Sequence, residues 1–395
     1  MPAQHPIIVV GGGIGGLTVA LALGRQGWPV RVLEEASEFG AIGYGIQLGP
    51  NVFHMFERLG LSETVLAQAI EPAAVVMLDA LDGQEVVRIP TGESFRRRFK
   101  YPYIVMHRID LHHVLFDACK AVPTIALEAS SAVSGWEDLG GSVKVTTADG
   151  RVVKGAAVIG ADGLGSRVRA QLLNERAPRL IGYVAHRTIV PIDAVPKGVL
   201  RREVVLWGGP GFHIVHYPLR HGTLFNIVAV FRTPTFAEKG DARAYIAEVE
   251  QNYRDAHPVM KSLLELMDFK QRRPISDRDP IRHWHRGRVV LLGDAAHPTL
   301  QSLAQGACMA IEDGVCLAGL IEAEKGDFDA AFRRYEAARL IRTARVQLES
   351  RDVWSFYHLE GIARDVRNQT TAGWSEDHVF RCLAWLYDGF PLAKG

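Results

Sequence analysis

Cysteine is scarce in this chain. The 395 residues hold four, Cys119, Cys308, Cys316 and Cys382, with no C-x-x-C pair among them. That argues against a disulfide framework and a thiolate zinc site, and it suits a reducing compartment. An excess of either charge is also missing: 45 Lys+Arg stand against 44 Asp+Glu, for a net charge of +1. Such a balance leaves no electrostatic footprint for nucleic acid or an anionic membrane. No apolar run approaches the roughly 18 residues that span a bilayer. The first residues form neither a basic n-region nor an apolar h-region, so a cytoplasmic location is expected. No metal-ligand spacing, internal repeat or long linker interrupts the chain, so its domains are expected to interleave, and no metal is expected.

What is present begins at residue 6. Pro6-Ile7-Ile8-Val9-Val10 reads as a buried parallel strand. It runs into Gly11-Gly12-Gly13-Ile14-Gly15-Gly16, and Leu17 to Leu23 is a packed helix stopped by Gly27. Trp28 to Leu33 is a second strand, ending at Glu34. In this G-x-G-x-x-G turn Gly11 permits the bend, Gly13 admits a pyrophosphate and Gly16 lets helix and strand approach. Free amides at the helix start, around Ile14 and Gly15, favour phosphate. The Glu34 carboxylate suits the two hydroxyls of an adenosine ribose and would repel a 2′-phosphate. FAD and NAD both satisfy these features.

Further along, Phe39 to Asn51 holds four glycines and reads as a loop lying against a flat ligand. Val52 to Ala67 reads as one amphipathic helix and Val75 to Ile89 as a hairpin turned at Asp82-Gly83. Arg108 opens a helix, where a guanidinium can pair with phosphate or cap Asp110. Val143 to Val158 is a pair of strands leading to Asp162-Gly163, and Val289 to Leu292 is a strand leading to Gly293-Asp294. Both read as further nucleotide-facing loops, with plain turn capping as the competing reading. Between about Arg176 and Arg286 strand-like runs dominate, as in an antiparallel sheet walling a pocket. His213 and Tyr217 lie four apart there and share a strand face. The loop from Pro298 to Ala304 precedes a helix that starts near Gly306. Phe332 to Trp354 reads as a long helix, followed by short ones.

The three motifs Gly11–Gly16, Asp162-Gly163 and Gly293-Asp294 stand in the order of one family. From about residue 6 to 360 the chain resembles the single-component flavin-dependent aromatic hydroxylases, the group of p-hydroxybenzoate and salicylate hydroxylases. Within it the likeness is greatest to the branch acting on 3-hydroxybenzoate. The stretches carrying it are Gly45 to Pro50, His107 to His112, Phe212 to Arg220, Leu300 to Ala304 and His358 to Gly361. The resemblance implies an α/β fold: a Rossmann-like FAD-binding domain with an interleaved antiparallel β-sheet substrate domain and C-terminal helices. The expected boundaries are 1–175 for the FAD-binding domain, carrying a substrate-domain hairpin near 75–105; 176–286 for the substrate sheet; 287–350 for the FAD-binding domain continued; and 351–395 for the C-terminal helices.

The resemblance also implies tightly bound FAD and a transient NADH, with no second dinucleotide domain. Glu34 would take the adenosine ribose, Arg108 the pyrophosphate, Asp294 the ribityl chain, and Gly306 with Ala307 the isoalloxazine. Gln47 and Asp162 complete the expected cofactor contacts. His213, Tyr217 and Gln301 would face an aromatic acid. Reduced flavin would form a C4a-hydroperoxide with O₂ and hydroxylate 3-hydroxybenzoate to 2,5-dihydroxybenzoate (gentisate). A decarboxylating salicylate or 6-hydroxynicotinate hydroxylase, a flavin-binding redox sensor and an NAD-dependent dehydrogenase remain as alternatives, and a homodimer is one of the assemblies left open. Two positions depart from the family: Glu35, where arginine is common, and His186, where an aromatic residue is common. The second is expected to alter the pocket.

Overall fold

Four short strands end at the same level, and that alignment positions everything else. Ile7–Val10 lies between Ala157–Gly160 and Val30–Leu33, all parallel, with Val10 level with Gly160 and Leu33. Val289–Leu291 extends the sheet beyond Ala157–Gly160, with Leu291 level with Gly160. Ile125–Glu128 and the antiparallel His285–Arg286 complete its six strands. Backbone bonds stitch the tips: Gly11 N–H to the Leu33 carbonyl at 2.8 Å, Ala161 N–H to Val10 at 2.8 Å and Leu292 N–H to Gly160 at 2.9 Å. The three glycine-bearing motifs therefore emerge side by side at the carboxyl edge of one parallel sheet, where doubly wound folds hold their ligands. The strands are continuous runs of buried aliphatic residues, as in a parallel sheet covered on both faces.

This is a computed structural model, and it describes residues 5–40, 43–175, 177–233 and 242–391. Ala41 and Ile42 of the expected glycine loop, Arg176 at the expected domain boundary, and the residues before 5 and after 391 lie outside the described residues.

The second large sheet has seven strands. Its order is Arg273–Asp277, Arg179–Pro191, Leu224–Arg232, Phe212–Leu219, Val204–Gly209, Ala74–Asp79 and Glu85–Pro90. The Val75–Ile89 hairpin thus joins this sheet. One pair is parallel, Val204–Gly209 with Ala74–Asp79, so the sheet is mixed rather than purely antiparallel. Its faces differ because side chains alternate. Phe212, Ile214, Phe225, Ile227 and Phe231 pack beneath Tyr245, Val249, Tyr253, Met260 and Leu263. Tyr245 and Val249 come from helix Ala242–Asn252, Tyr253 follows it directly, and Met260 and Leu263 come from helix Pro258–Leu264; a strand-only reading of the segment missed both helices. The opposite face carries Arg187, Val215 and Tyr217 toward the parallel sheet.

Other expectations need correction. The stretch from Val52 to Ala67 is not one helix. A 3₁₀ turn Pro50–Val52 leads into Phe53–Arg58, and Ser62–Gln68 follows separately. Gly60, with φ +56°, breaks the run. Within the glycine-rich stretch, Gly45–Leu48 is a strand paired antiparallel with Ile104–His107, not a loop. The Val143–Thr147 and Val152–Gly155 hairpin has a third partner, Val133–Asp138, and Ala157–Gly160 leaves it to join the parallel sheet. The long helix runs from Phe328 to Tyr357, and helices Gly361–Thr371 and Glu376–Tyr387 follow. Among the described residues, no helix is long and apolar enough to cross a membrane.

Candidate active site

Two cavities meet at the edge of the parallel sheet, one of about 360 Å³ and one of about 350 Å³. Gly13, Ala161 and Gly163 line both, so the pair forms one long trough across the strand tips. The smaller cavity is bounded by Gly11, Glu34, Asp162 and Arg167. The larger one is bounded by Ile14, Gly15, Gln47, Arg108, Asp294, Gly306 and Ala307, and beyond them by Arg187, Tyr217 and Gln301.

The turn fits a pyrophosphate. Gly11 has φ +102°, and a Cβ on it would meet the Ala161 carbonyl oxygen at 2.5 Å. A Cβ on Gly16 would lie 1.9 Å from the Gly11 oxygen, whereas one on Gly13 would meet nothing within 4 Å. Gly13 therefore leaves open space in the trough, while Gly16 lies beneath the turn and sets its closeness to the helix. Glu34 accepts from Gly12 N–H at 2.6 Å and from Ala36 N–H at 2.9 Å, which fixes its carboxylate at the rim of the smaller cavity.

Asp162 is held differently. Its carboxylate accepts from the Ser166 hydroxyl at 2.5 Å and from the Arg167 and Val168 amides at 2.8 and 3.1 Å. It caps the helix Arg167–Leu173, so it shapes the trough through the loop that it anchors.

Asp294 opens into the larger cavity. Enclosure by protein raises its carboxyl above the ordinary value, while His297 and Arg108 nearby pull it down. Burial lowers the Arg108 guanidinium, and Asp294 opposes that shift. Asp110 pairs with Arg220 at 2.8 Å. The Gly293-Asp294 turn is gripped from below. Asp313, fully buried, accepts from Gly293 N–H at 3.1 Å, from His297 Nε2 at 2.5 Å and from Arg339 Nε at 2.7 Å. Helix Gly306–Ala323 points its first amides into the same cavity.

At the far wall Tyr217 sets the hydroxyl edge of its ring against Gly45, where a Cβ would lie 2.5 Å from the ring carbon and the hydroxyl oxygen. Gly45 N–H donates to Asn226 Oδ1 at 2.9 Å and is held there. Gln47 Oε1 accepts from the Tyr103 hydroxyl at 2.6 Å. Burial raises the Tyr217 phenol well above its usual value, and the Arg187 charge and Gln47 offset only part of this. Arg187 donates to Gln301 Oε1 at 2.9 Å. The turn Gln301–Leu303 is fastened to the long helix, with Ser302 Oγ donating to the Ser350 carbonyl at 2.5 Å and the Tyr357 hydroxyl to the Ser302 carbonyl at 2.7 Å.

His213 shares the strand face of Tyr217 but does not line the larger cavity. It sits deeper, edge-on to Trp354 and Tyr357, with Nδ1 2.9 Å from His358 Nε2. His186 points the other way, to the Tyr245 hydroxyl at 2.6 Å and the face of Phe231. Its departure from the family therefore does not touch the pocket, because alternation sends His186 outward and its neighbour Arg187 inward. Sequence reading passed over Arg187. The available signal was a cation midway along a mostly apolar strand.

Fold and trough together define a flavoprotein with a substrate-sized compartment beside the cofactor trough. The FAD binding domain family matches residues 4–349. A 3-hydroxybenzoate 6-hydroxylase of Polaromonas naphthalenivorans (strain CJ2) is 43% identical, with 100% of this chain and 99% of that protein covered. A 3-hydroxybenzoate 6-hydroxylase of Klebsiella oxytoca is 39% identical over 96% of each chain. The crystal structure of Klebsiella pneumoniae HpxO complexed with FAD and uric acid superposes with a TM-score of 0.85 at 25% identity, covering 98% of both chains. The chain belongs to the FAD binding domain family of aromatic hydroxylases and is an FAD-dependent aromatic monooxygenase. The dehydrogenase and redox-sensor readings fall with that finding.

Proposed function

We propose that the protein hydroxylates 3-hydroxybenzoate to 2,5-dihydroxybenzoate, consuming NADH, a proton and O₂ and releasing NAD⁺ and water. The observation that carries this reading is the half-buried pairing of Arg187 with Gln301 beside the Tyr217 phenol, at the end of the FAD trough. Bound FAD supplies the chemistry of electron transfer from NADH and activation of O₂. Glu34, Gly13, Arg108, Asp294 and the amides of Gly306 and Ala307 hold it.

The remaining work belongs to the seven-stranded sheet. Arg187 gives an aromatic carboxylate a desolvated cation, and Gln301 fixes the guanidinium plane. Tyr217 keeps its proton, so it donates to the phenolic oxygen as negative charge develops there. Burial lowers the His213 imidazole well below its ordinary value, which leaves it neutral with a lone pair for the phenolic proton, although a weaker base than a free imidazole. A phenolate activates the ring carbon para to it, which in 3-hydroxybenzoate is the carbon hydroxylated here. The apolar wall of Val215, Val228, Leu292 and Leu300 keeps water from the reacting atoms.

The test is product identification with 3-hydroxybenzoate, salicylate and 6-hydroxynicotinate under NADH and air. Gentisate from 3-hydroxybenzoate is expected, and decarboxylated product from either of the others as the preferred reaction would overturn the reading. Arg187→Met should raise KM for the acid by roughly 30-fold or more, because it deletes one partner of a buried charged pair.

A further inference from the structure

We propose that His358 is a positioning residue that fixes the tautomer and ring orientation of His213. This rests on the reading of His213 as the group that accepts the phenolic proton. A histidine can do so through Nε2 only if its own proton sits on Nδ1. In this protein Nδ1 of His213 is the atom facing His358 Nε2, at 2.9 Å.

The direction of the hydrogen bond follows from the other end of His358. That residue caps the helix Phe328–Tyr357, and its backbone N–H donates to the Ser355 carbonyl at 3.1 Å. Its ring Nδ1 is buried near the Trp354 carbonyl, in a geometry too poor for a full hydrogen bond. A proton on Nδ1 faces that carbonyl favourably, whereas a lone pair there would face another lone pair. With the proton on Nδ1, Nε2 of His358 must accept, and His213 Nδ1–H must donate. His213 Nε2 is then left as an acceptor.

The ring has little freedom to escape this arrangement. Tyr183 stacks on His358 at 5.0 Å between centroids, and Trp354 stands edge-on to both histidines at 5.1 Å. Burial lowers both imidazoles, His358 to about 4, so the pair is a neutral donor and acceptor at working pH. The helix that carries His358 also fastens the Gln301 turn through Ser350 and Tyr357. One rigid element therefore sets both Gln301 on the cavity wall and His213 behind it.

The experiment compares His358→Leu with His358→Gln in the FAD-loaded enzyme. Glutamine can return an acceptor oxygen near the place of Nε2, and leucine cannot. The leucine variant should lower kcat for hydroxylation by about 10-fold or more and divert NADH to H₂O₂, with KM and FAD content near wild type. Glutamine should restore much of the coupling. If leucine fails to fold, His358→Asn replaces it, since its amide is too short to reach His213. A leucine or asparagine variant that couples normally overturns the proposal, as does a glutamine variant equally impaired. His213→Ala is measured alongside. If it alone couples normally, the proton-acceptor reading fails; if it is impaired while His358→Leu is not, only the present inference fails.

Discussion

At the tips of the parallel sheet the site is made mostly of backbone, and across the trough it is made of side chains. Gly11, Gly13, Gly16 and the first amides of two helices shape the cofactor half, and charge comes from Glu34, Glu35, Arg108, Asp162, Arg167 and Asp294 around its rim. The facing half depends on Arg187, Tyr217 and Gln301, with His213 behind them. The first half demands space, so its residues are small and their order along the chain is local. The second demands particular polar atoms at particular places, so its residues come from elements far apart in sequence. Substitutions in the two halves should therefore fail in different ways.

The largest effect is expected from Gly16→Ala. Its Cβ would lie 1.9 Å from the Gly11 oxygen, and backbone must move to admit it. The apoprotein should lose many degrees of thermal stability along with FAD. Gly13→Ala sharpens the contrast, because nothing stands within 4 Å of the added methyl. Apoprotein stability should hold while FAD affinity falls by roughly tenfold or more. Calorimetry with flavin titration checks both, and equal behaviour of the two variants would erase the distinction between a packing glycine and a ligand glycine.

Next in size is Tyr217→Phe, which keeps the ring on Gly45 and removes the hydroxyl. FAD content should stay normal, and hydroxylation should slow by about 10²–10⁴-fold while NADH is still consumed. Product and H₂O₂ measured together decide it. Coupled turnover at the wild-type rate would reduce the side-chain half to shape alone.

The smallest effect concerns pH. Burial holds His216 down to about 3 and His186 and His358 to about 4, from an ordinary 6.5. Unfolded, each takes up a proton below pH 6.5. Stability is thus complete above that pH and declines as pH falls toward 4, by up to about 1.4 kcal/mol per pH unit for each group. Thermal melts should fall between pH 7 and pH 5, and His186→Phe should flatten that slope. All these groups belong to the seven-stranded sheet or its contacts, so a flat profile would show that this half tolerates charge.

The legibility of the two halves follows the same division. The G-x-G-x-x-G turn, Asp162-Gly163 and Gly293-Asp294 could each be found because a strand, a glycine and an acid are neighbours in the chain. Asp162 was visible for the same reason, yet its capping of Ser166, Arg167 and Val168 was not, since a carboxylate's partners depend on the bend of its own loop. Arg187 was passed over because an arginine in a strand reads as surface until the alternation is anchored to a known face. His213 and Tyr217 were placed on one face by spacing alone. Their unequal depth came from Trp354, Tyr357 and His358, well over a hundred residues later.

By itself the sequence determined the parallel sheet, its glycine turns and a cofactor-binding edge, since those rest on backbone sterics and on residues close together in the chain. Tertiary structure alone decided that a helix beginning at Phe328 fastens the Gln301 turn and ends beside His213. It also decided which face of Arg179–Pro191 turns inward. The physical reason is that a side chain's chemistry depends on what desolvates and orients it, and those neighbours come together only when distant elements pack.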